Sequence, residues 1–595
     1  MRRAWLTYSV AFVFAFTSAC SGTDGSKGPI EKSPDSKNAD VVTSGKGDLP
    51  WSDCEIQHAV LLLNDASTDL QTLKDKGVHT RGARNLIEYR NGEDGDYLTD
   101  DDQYFDDIEE VDDVYWVGPA ALDGLTSAVA DECENPPQRK SDVIFSPKAY
   151  HESHLVRTAK LIDQAKDSID IAMYSFGDQK IFDALRDAAD RGVSIRMIYN
   201  KTRENRDEGN NTMSAKLERI GVDVRWVNKV MHHKYVIVDG VRNSLLEADE
   251  AKMATGSGNW SYGAGTRYDE NTVFLQGDPE VALRLQSEFN LLWKWSRPYD
   301  KNSNLEYFES TPVKKGMIPD QKGVHVHVTS ENFDPYHSSR WGNTFGIVRG
   351  KSNVSKEIVK MIQEADESIW VASGHLRSRP ISEALIEKHE NNPDMDIRVY
   401  LDGQEYISEG YHWYQVSELE ECLEDAGDSE AQRQDCLDSG FYFGFQVQDA
   451  GITLRYKYYA YRWHYTYAKQ MHHKYLIFDG KKLVSGSYNL SDNAEHNTME
   501  NILVYDAARY PSLVDDFKTN FQKIWKTGHA DNRYEKLKQT IDNASYKIPI
   551  VFKPMALDHG QIEKLKTKIE DTCPAVESDD YDDDPRRHTD CYLND

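Results

Sequence analysis

The ten residues MHHKYVIVDG beginning at Met231 recur as MHHKYLIFDG beginning at Met471, with eight of the ten positions identical. A chain that carries such a block twice must fold it the same way twice. The apolar runs YVIV and YLIF read as buried strands. In a strand, residues i and i+2 share a face. His232 and Lys234 therefore point one way and His233 the other, with His472, Lys474 and His473 arranged alike. Around each block, strand-like and helix-like segments alternate: IDIAMYSF, QKIFDALRDAADRG and VSIRMIYN in the first copy, IWVASGHL, ISEALIEKHENN and DIRVYLDG in the second. This predicts two α/β domains, at about 140–300 and 325–530, each a mostly parallel sheet packed by helices. NSLLEADEAK reads as a loop inserted after the first block. An acidic insertion holding Cys422 and Cys436 separates Gln404 from Gly451 in the second copy.

The residues after each block repeat too. Six residues separate Asp479 from Gly486-Ser487-Tyr488-Asn489, and Glu500 stands eleven beyond Asn489. In the first copy Gly256-Ser257-Gly258-Asn259 and Glu270 keep the step of eleven, but sixteen residues separate Asp239 from Gly256. The pattern H-x-K-x4-D-x6-G-S-x-N, twice in one chain, resembles the phospholipase D superfamily over roughly 140–530. The resemblance implies two phospholipase D-like α-β-α domains forming a pseudo-two-fold bilobal α/β enzyme. It implies phosphodiester hydrolysis through a covalent phosphohistidine, with His232 as nucleophile and His472 as acid and base. The catalytic set it implies is His232, Lys234, Asp239, His472, Lys474 and Asp479. Asp239 and Asp479 read equally as orienting groups or strand-end turn residues. Ser257, Asn259, Ser487 and Asn489 are expected at the phosphoryl oxygens, and Glu270 and Glu500 as partners that orient the imidazoles.

Elementary electrostatics supports this reading. Two lysine ammonium groups brought to one place repel unless an anion lies between them, and a phosphodiester is such an anion. A His-His pair suggests a metal, but strand alternation turns the second histidine away, so no metal or cofactor is expected.

The ends of the chain bear on location. Arg2 and Arg3 precede an apolar run from Ala4 to Phe16, too short to span a bilayer. Thr17-Ser18-Ala19-Cys20 resembles a bacterial lipobox, which implies lipidation at Cys20, although Thr17 replaces the usual leucine. Residues 1–20 are expected to be a signal, and 21–50 a flexible tether rich in Ser, Gly, Lys, Asp and Pro. The expectation is an exported chain, periplasmic or at the cell surface. Six further cysteines then suggest disulfides, and neighbour pairing gives Cys54–Cys133, Cys422–Cys436 and Cys573–Cys591. Residues 546–595, with their ESDDYDDD run, read as an acidic, loop-like tail.

Residues 51–133 read as a small all-α domain. They resemble the tandem helix-hairpin-helix domain of competence-type DNA-binding proteins, through Gly77, Gly82 and Ala83 in one hairpin and Val117, Gly118 and Ala121 in the other. Against DNA stands charge: residues 93–113 hold 12 Asp or Glu, and the chain's formal net charge is -30. A phosphate backbone is repelled by such a chain at long range. The first expectation is thus a monomeric phospholipase D acting on phospholipids at a membrane surface, and the alternative a metal-independent nuclease cleaving DNA. A binding-only protein is the third reading, and two intact motifs oppose it. The stretch LRYKYYAYRWHYTYAKQ, with Arg455, Lys457, Arg462 and Lys469, is expected either to flank the active-site mouth or to pack structurally.

Overall fold

Two eight-stranded sheets carry the repeat, and their strand orders correspond one to one. The first runs Lys140–Ser146, Glu270–Gln276, Lys252–Gly256, Lys234–Val238, Ser168–Met173, Ser194–Tyr199, Asp223–Trp226, Arg297–Pro298. The second runs Val324–Val328, Asn501–Asp506, Lys482–Gly486, Lys474–Phe478, Ser368–Ser373, Asp396–Asp402, Thr453–Tyr458, Met555–Leu557. This computed structural model describes residues 49–134, 138–202, 204, 211–299, 312–319, 324–458, 469–543 and 553–571. Cys20, nearly all of the tether, Arg462, Cys573, Cys591 and the ESDDYDDD run lie outside the described residues.

The sheets are not mostly parallel, contrary to expectation. In each, two pairings are parallel and five antiparallel. Parallel neighbours need a crossover, and helices Gln179–Asp190 and Arg379–Asn391 supply one. The motif strand of the second lobe returns without a helix. Asp479 and Gly480 take φ of 54° and 62° in the short turn from Phe478 to Lys482, which sends the chain straight back.

Alternation along the motif strands sorts their side chains between two cores. Tyr235 and Ile237 join Tyr475 and Ile477 in one core shared by both lobes. Val236 and Val238 instead face the outer helices of lobe 1, and Leu476 and Phe478 those of lobe 2. Helices Pro279–Lys294 and Pro511–Trp525 supply Phe289, Phe517 and Phe521 to the shared core. From Leu49 onward the chain forms one compact unit.

The N-terminal helices have their own core and dock on lobe 1. NSLLEADEAK is not a bare loop: Leu245–Glu250 forms a 3-10 turn. The Leu245 N–H donates to Asp65 Oδ2 at 2.6 Å, and His58 Nε2 lies 2.5 Å from Asp249 Oδ2. The extra length in the first motif is thus where the helical region attaches. Disulfides join Cys54 to Cys133 and Cys422 to Cys436. The tail also differs from expectation. Met555–Leu557 is an edge strand, and helix His559–Glu570 buries Ile562, Leu565 and Ile569 against lobe 2, one face of a helix at spacings of three and four. Among the described residues no helix is long and apolar enough to cross a membrane.

Candidate active site

His232 and His472 sit just ahead of their strands, each held by the other lobe. Val230–Met231 pairs with Thr498–Met499, and Met471 bridges to Asp269. The His232 N–H donates to the Met499 carbonyl at 3.1 Å, and the His472 N–H to the Asp269 carbonyl at 3.0 Å. A glutamate follows each acceptor. Glu500 Oε1 therefore lies 2.6 Å from His232 Nδ1, and Glu270 Oε1 2.8 Å from His472 Nδ1. The exchange is crossed: each lobe's glutamate serves the other lobe's histidine. His472 makes an aligned hydrogen bond to Glu270, whereas the His232 ring is turned off the line to Glu500. With Nδ1 occupied, Nε2 is the atom left for substrate.

The second histidines face away, as alternation requires. His233 Nε2 lies 3.0 Å from Glu288 Oε1 and its Nδ1 3.0 Å from Asn501 Nδ2, while His473 Nδ1 lies 3.1 Å from Asn271 Oδ1. The two asparagine contacts again cross between lobes, through the residue after each glutamate.

The two serines expected at phosphate are elsewhere. Ser257 and Ser487 are fully buried, and their Oγ atoms accept the N–H groups of Asn271 and Asn501 at 2.9 and 3.0 Å. They hold the Glu-Asn pairs that reach across. The preceding glycines have a steric reason: a Cβ on Gly256 or Gly486 would come within 2.3 or 2.2 Å of the Asn271 or Asn501 carbonyl oxygen. Asn259 and Asn489 are placed differently from the serines. Their Oδ1 atoms are buried without a protein partner, so the amides remain available.

Asp239 and Asp479 also need correction, because neither is part of the reacting cluster. Five residues beyond each lysine, at about 3.3 Å per residue, places them about 16 Å along the strand. Asp239 accepts the N–H groups of Lys166, Asp167 and Ser168, and Asp479 those of Asp366, Glu367 and Ser368. Each carboxylate clamps the loop that enters the central strand. Burial pushes the Asp479 carboxyl upward, but the three N–H groups outweigh it and hold it below its ordinary value. Its contribution to stability is present above the ordinary carboxylate range and lost as pH falls through the lowered value. Asp479→Ala is expected to lower unfolding free energy by about 2 kcal/mol, read by urea denaturation. The folded variant should keep kcat/KM within about twofold, since no transition-state contact is lost.

Charge in the cluster is poised for an anion. Burial, then the Lys234 and Lys474 charges, holds both motif imidazoles well below the ordinary histidine value. Burial lowers Lys234 to about 7 and Lys474 to about 8, with Glu500 and Glu270 opposing the drop. Glu270 and Glu500 are themselves raised to about 7 by burial. Lys234 Nζ donates to the His232 carbonyl at 2.6 Å and Lys474 Nζ to that of His472 at 3.0 Å, which leaves hydrogens on each ammonium for a ligand.

The two lobes differ at the mouth. The Tyr174 ring lies 4.5 Å from the His232 ring. On the other side a cavity of about 570 Å³ is lined by His375, Arg377, Asn489, Asp438 and Asp492. The His232 side chain is 10% exposed and that of His472 20%, so the cluster is more open toward His472. Sequence reasoning missed Tyr174, His375, Arg377 and Glu405. Their one sequence signal is position, directly or closely after the strands at the centre of each sheet. Of the aromatic stretch, Arg455 donates to the Trp525 carbonyl and Lys457 pairs with Asp269 at 2.9 Å, so these two cations pack structurally. Residues 459–468 lie outside the described set.

Twin α/β lobes thus bring two His-Lys-Asn sets to one cleft. The family model described as "Cardiolipin synthase, PLD-like domain" matches residues 158–293 and 358–525, just over half of the chain, and the chain belongs to this phospholipase D-like family. The mitochondrial cardiolipin hydrolase of Drosophila melanogaster is 27% identical over 160 residues, 24% of this chain and 59% of that protein. A phospholipase D of Rickettsia conorii is 29% identical over 132 residues, 22% of this chain and 60% of that protein. The chain thus spans less than two thirds of the length of these relatives. Among solved structures, Nuc of Salmonella typhimurium, a phospholipase D family member, is 27% identical and matches 28% of this chain and all of its own, with a TM-score of 0.23. A phosphatidylserine synthase of Haemophilus influenzae is 13% identical over 66% of this chain and 89% of its own, with a TM-score of 0.41. The N-terminal helices lie outside the residues matched to the family.

Proposed function

We propose that this chain is a phosphodiesterase that cleaves phospholipids by a phospholipase D reaction. His232 Nε2 attacks phosphorus while His472, having taken up a proton as the diester anion binds and offsets the Lys474 and Lys234 charges beside it, gives its Nε2 proton to the leaving alcohol. His472 then takes a proton from water, which releases the phosphatidyl group from His232. Lys234, Lys474, Asn259 and Asn489 hold the phosphoryl oxygens as charge builds on them. The observation that carries this reading is the crossed pairing, which turns each Nδ1 toward a carboxylate of the other lobe and leaves both Nε2 atoms for substrate beside Lys234 and Lys474. The unequal sides support these roles: the Tyr174 ring lies against His232, whereas the His472 side chain is the more exposed of the two. Phospholipid as substrate draws support from the relatives named cardiolipin hydrolase and phospholipase D and from the net charge of -30, which disfavours a polyanion. Export with lipid anchoring at Cys20 would place the enzyme at a membrane surface.

A nuclease is the second reading, favoured by one surface feature. Trp116 is 54% exposed between two N-terminal helices, with the Arg81 guanidinium 5.0 Å from its ring, a pair suited to stacking on a base. Purified chain is incubated in EDTA with mixed phospholipid vesicles and, separately, with single- and double-stranded DNA. Free headgroup alcohol is the expected product. DNA fragments without it would shift the reading to the nuclease, and full loss in EDTA restored by a metal would refute the mechanism.

A further inference from the structure

The lobes share a strand order but diverge just past the central strand. Met173 pairs with Lys234 and Ser373 with Lys474, so Tyr174 and Ser175 stand in register with Gly374 and His375. Where Tyr174 lies against His232, a Cβ on Gly374 would meet the Met471 carbonyl oxygen at 2.9 Å. The backbone passes close to the motif there, and His375 is the next side chain.

His375 is firmly seated. Its Nδ1 lies 2.8 Å from Glu405 Oε1. Glu405 is buried and also accepts the Leu376 N–H at 3.3 Å and, at 3.1 and 2.7 Å, the Nε and Nη2 of Arg377. Arg377 in turn lies 4.1 Å from the Tyr442 ring. A carboxylate fixed on several sides sets the imidazole's orientation and leaves Nε2 free. The His375 side chain is 35% exposed and lines the same cavity as Asn489. The outer wall of that cavity comes from the insertion, whose helices Glu409–Ala426 and Glu430–Leu437 are clamped by the Cys422–Cys436 disulfide. The charged and titratable groups around His375 are Glu405 and Arg377 behind it, His472 from the motif, Asp435 and Asp438 from the insertion, and Asp492 and His496 from helix Asp492–Asn497.

We propose that His375 is a third working histidine, whose Nε2 hydrogen-bonds the alcohol leaving the diester and then an acceptor alcohol that takes its place. This rests on the phosphodiester hydrolysis proposed above. The bonds broken and formed remain those at phosphorus. The P–O bond to the alcohol breaks as the bond to His232 forms, and the proton comes from His472. His375 forms no covalent bond and transfers no proton; it holds the group that carries the oxygen. Ser175 takes the matching place in lobe 1, so this function belongs to the leaving-group side alone.

The test is product partition. Wild type, His375→Gln and His375→Ala are given phospholipid vesicles in buffer containing glycerol, and the ratio of glycerol transfer to hydrolysis is measured. Both products arise from one phosphoenzyme, so the ratio does not depend on how much protein is folded. A fall of about tenfold in the ratio is expected for both variants, as one hydrogen bond to the acceptor is lost. A parallel assay with a 4-nitrophenyl phosphodiester should show a smaller loss of kcat/KM than the lipid does, because nitrophenolate leaves without help. A ratio unchanged within about twofold in both variants, in an enzyme that forms both products, overturns the role of His375. A wild type that forms neither product from any diester overturns the proposed function, and this inference with it.

Discussion

Replacing His232 by alanine lowers turnover by at least about 10⁴-fold, because removing a nucleophile removes the covalent path itself. His472→Ala is expected to lose hydrolysis of alkyl diesters to a similar extent, but for a separable reason. A 4-nitrophenyl leaving group needs no proton, so this variant should still form phosphohistidine and then stall, lacking a base for water. Mixing each variant with a radiolabelled nitrophenyl diester, quenching in base and counting protein-bound label tells them apart. Label is expected on His472→Ala and not on His232→Ala. The opposite result would exchange the two roles. The structural ground for the order is the unequal mouth, with Tyr174 against His232 and the His472 side chain the more exposed of the two.

The second large effect crosses between the lobes. Glu500→Gln should reproduce much of the defect of a damaged His232 although it belongs to the other copy, and Glu270→Gln much of that of a damaged His472. A loss of about 10²-fold is expected for each, the scale of an orienting partner rather than of a reacting group. The pH profile carries a sign that rate alone lacks. Lys234 at about 7 and Lys474 at about 8 are lowered chiefly by burial. Each ammonium is present below its own value and lost above it. Capture of a phosphodiester anion therefore weakens as pH climbs from about 7 to 8, and binding takes up protons in that range. Glu500 is the main charge supporting Lys234, and Glu270 the main one supporting Lys474. Removing either carboxylate should shift the alkaline limb of kcat/KM to lower pH. An unmoved limb together with a full rate loss would mean that the carboxylates act on the imidazoles alone.

Much of the reacting set was legible because it depends on local geometry. An eight-in-ten repeat requires two equivalent strands, and alternation chooses His232 and His472 over His233 and His473 whatever the fold around them. The fixed step of eleven singled out Glu270 and Glu500. The errors came where one local pattern serves two structures. A carboxylate at a strand end is compatible with orienting a histidine or with clamping a loop, and three N–H groups decide for the loop at Asp239 and at Asp479. Small polar residues after a glycine suit phosphate, yet Ser257 and Ser487 are buried and hold the strand starts at Asn271 and Asn501. The alternation of strands and helices suggested a parallel sheet, but the strands that return without a helix reverse direction.

By itself the sequence determined that there are two motifs, which histidine of each pair shares a face with the lysine, and which lysine that is, since these follow from a two-residue period within one strand. Only the tertiary structure decided that Glu500 serves His232 and Glu270 serves His472, that the serines and aspartates brace rather than react, and that His375 faces the open side. The physical reason is range. Strand alternation is set by bonds between neighbours, whereas the contact between His232 and Glu500 forms only when two sheets bury one core between them.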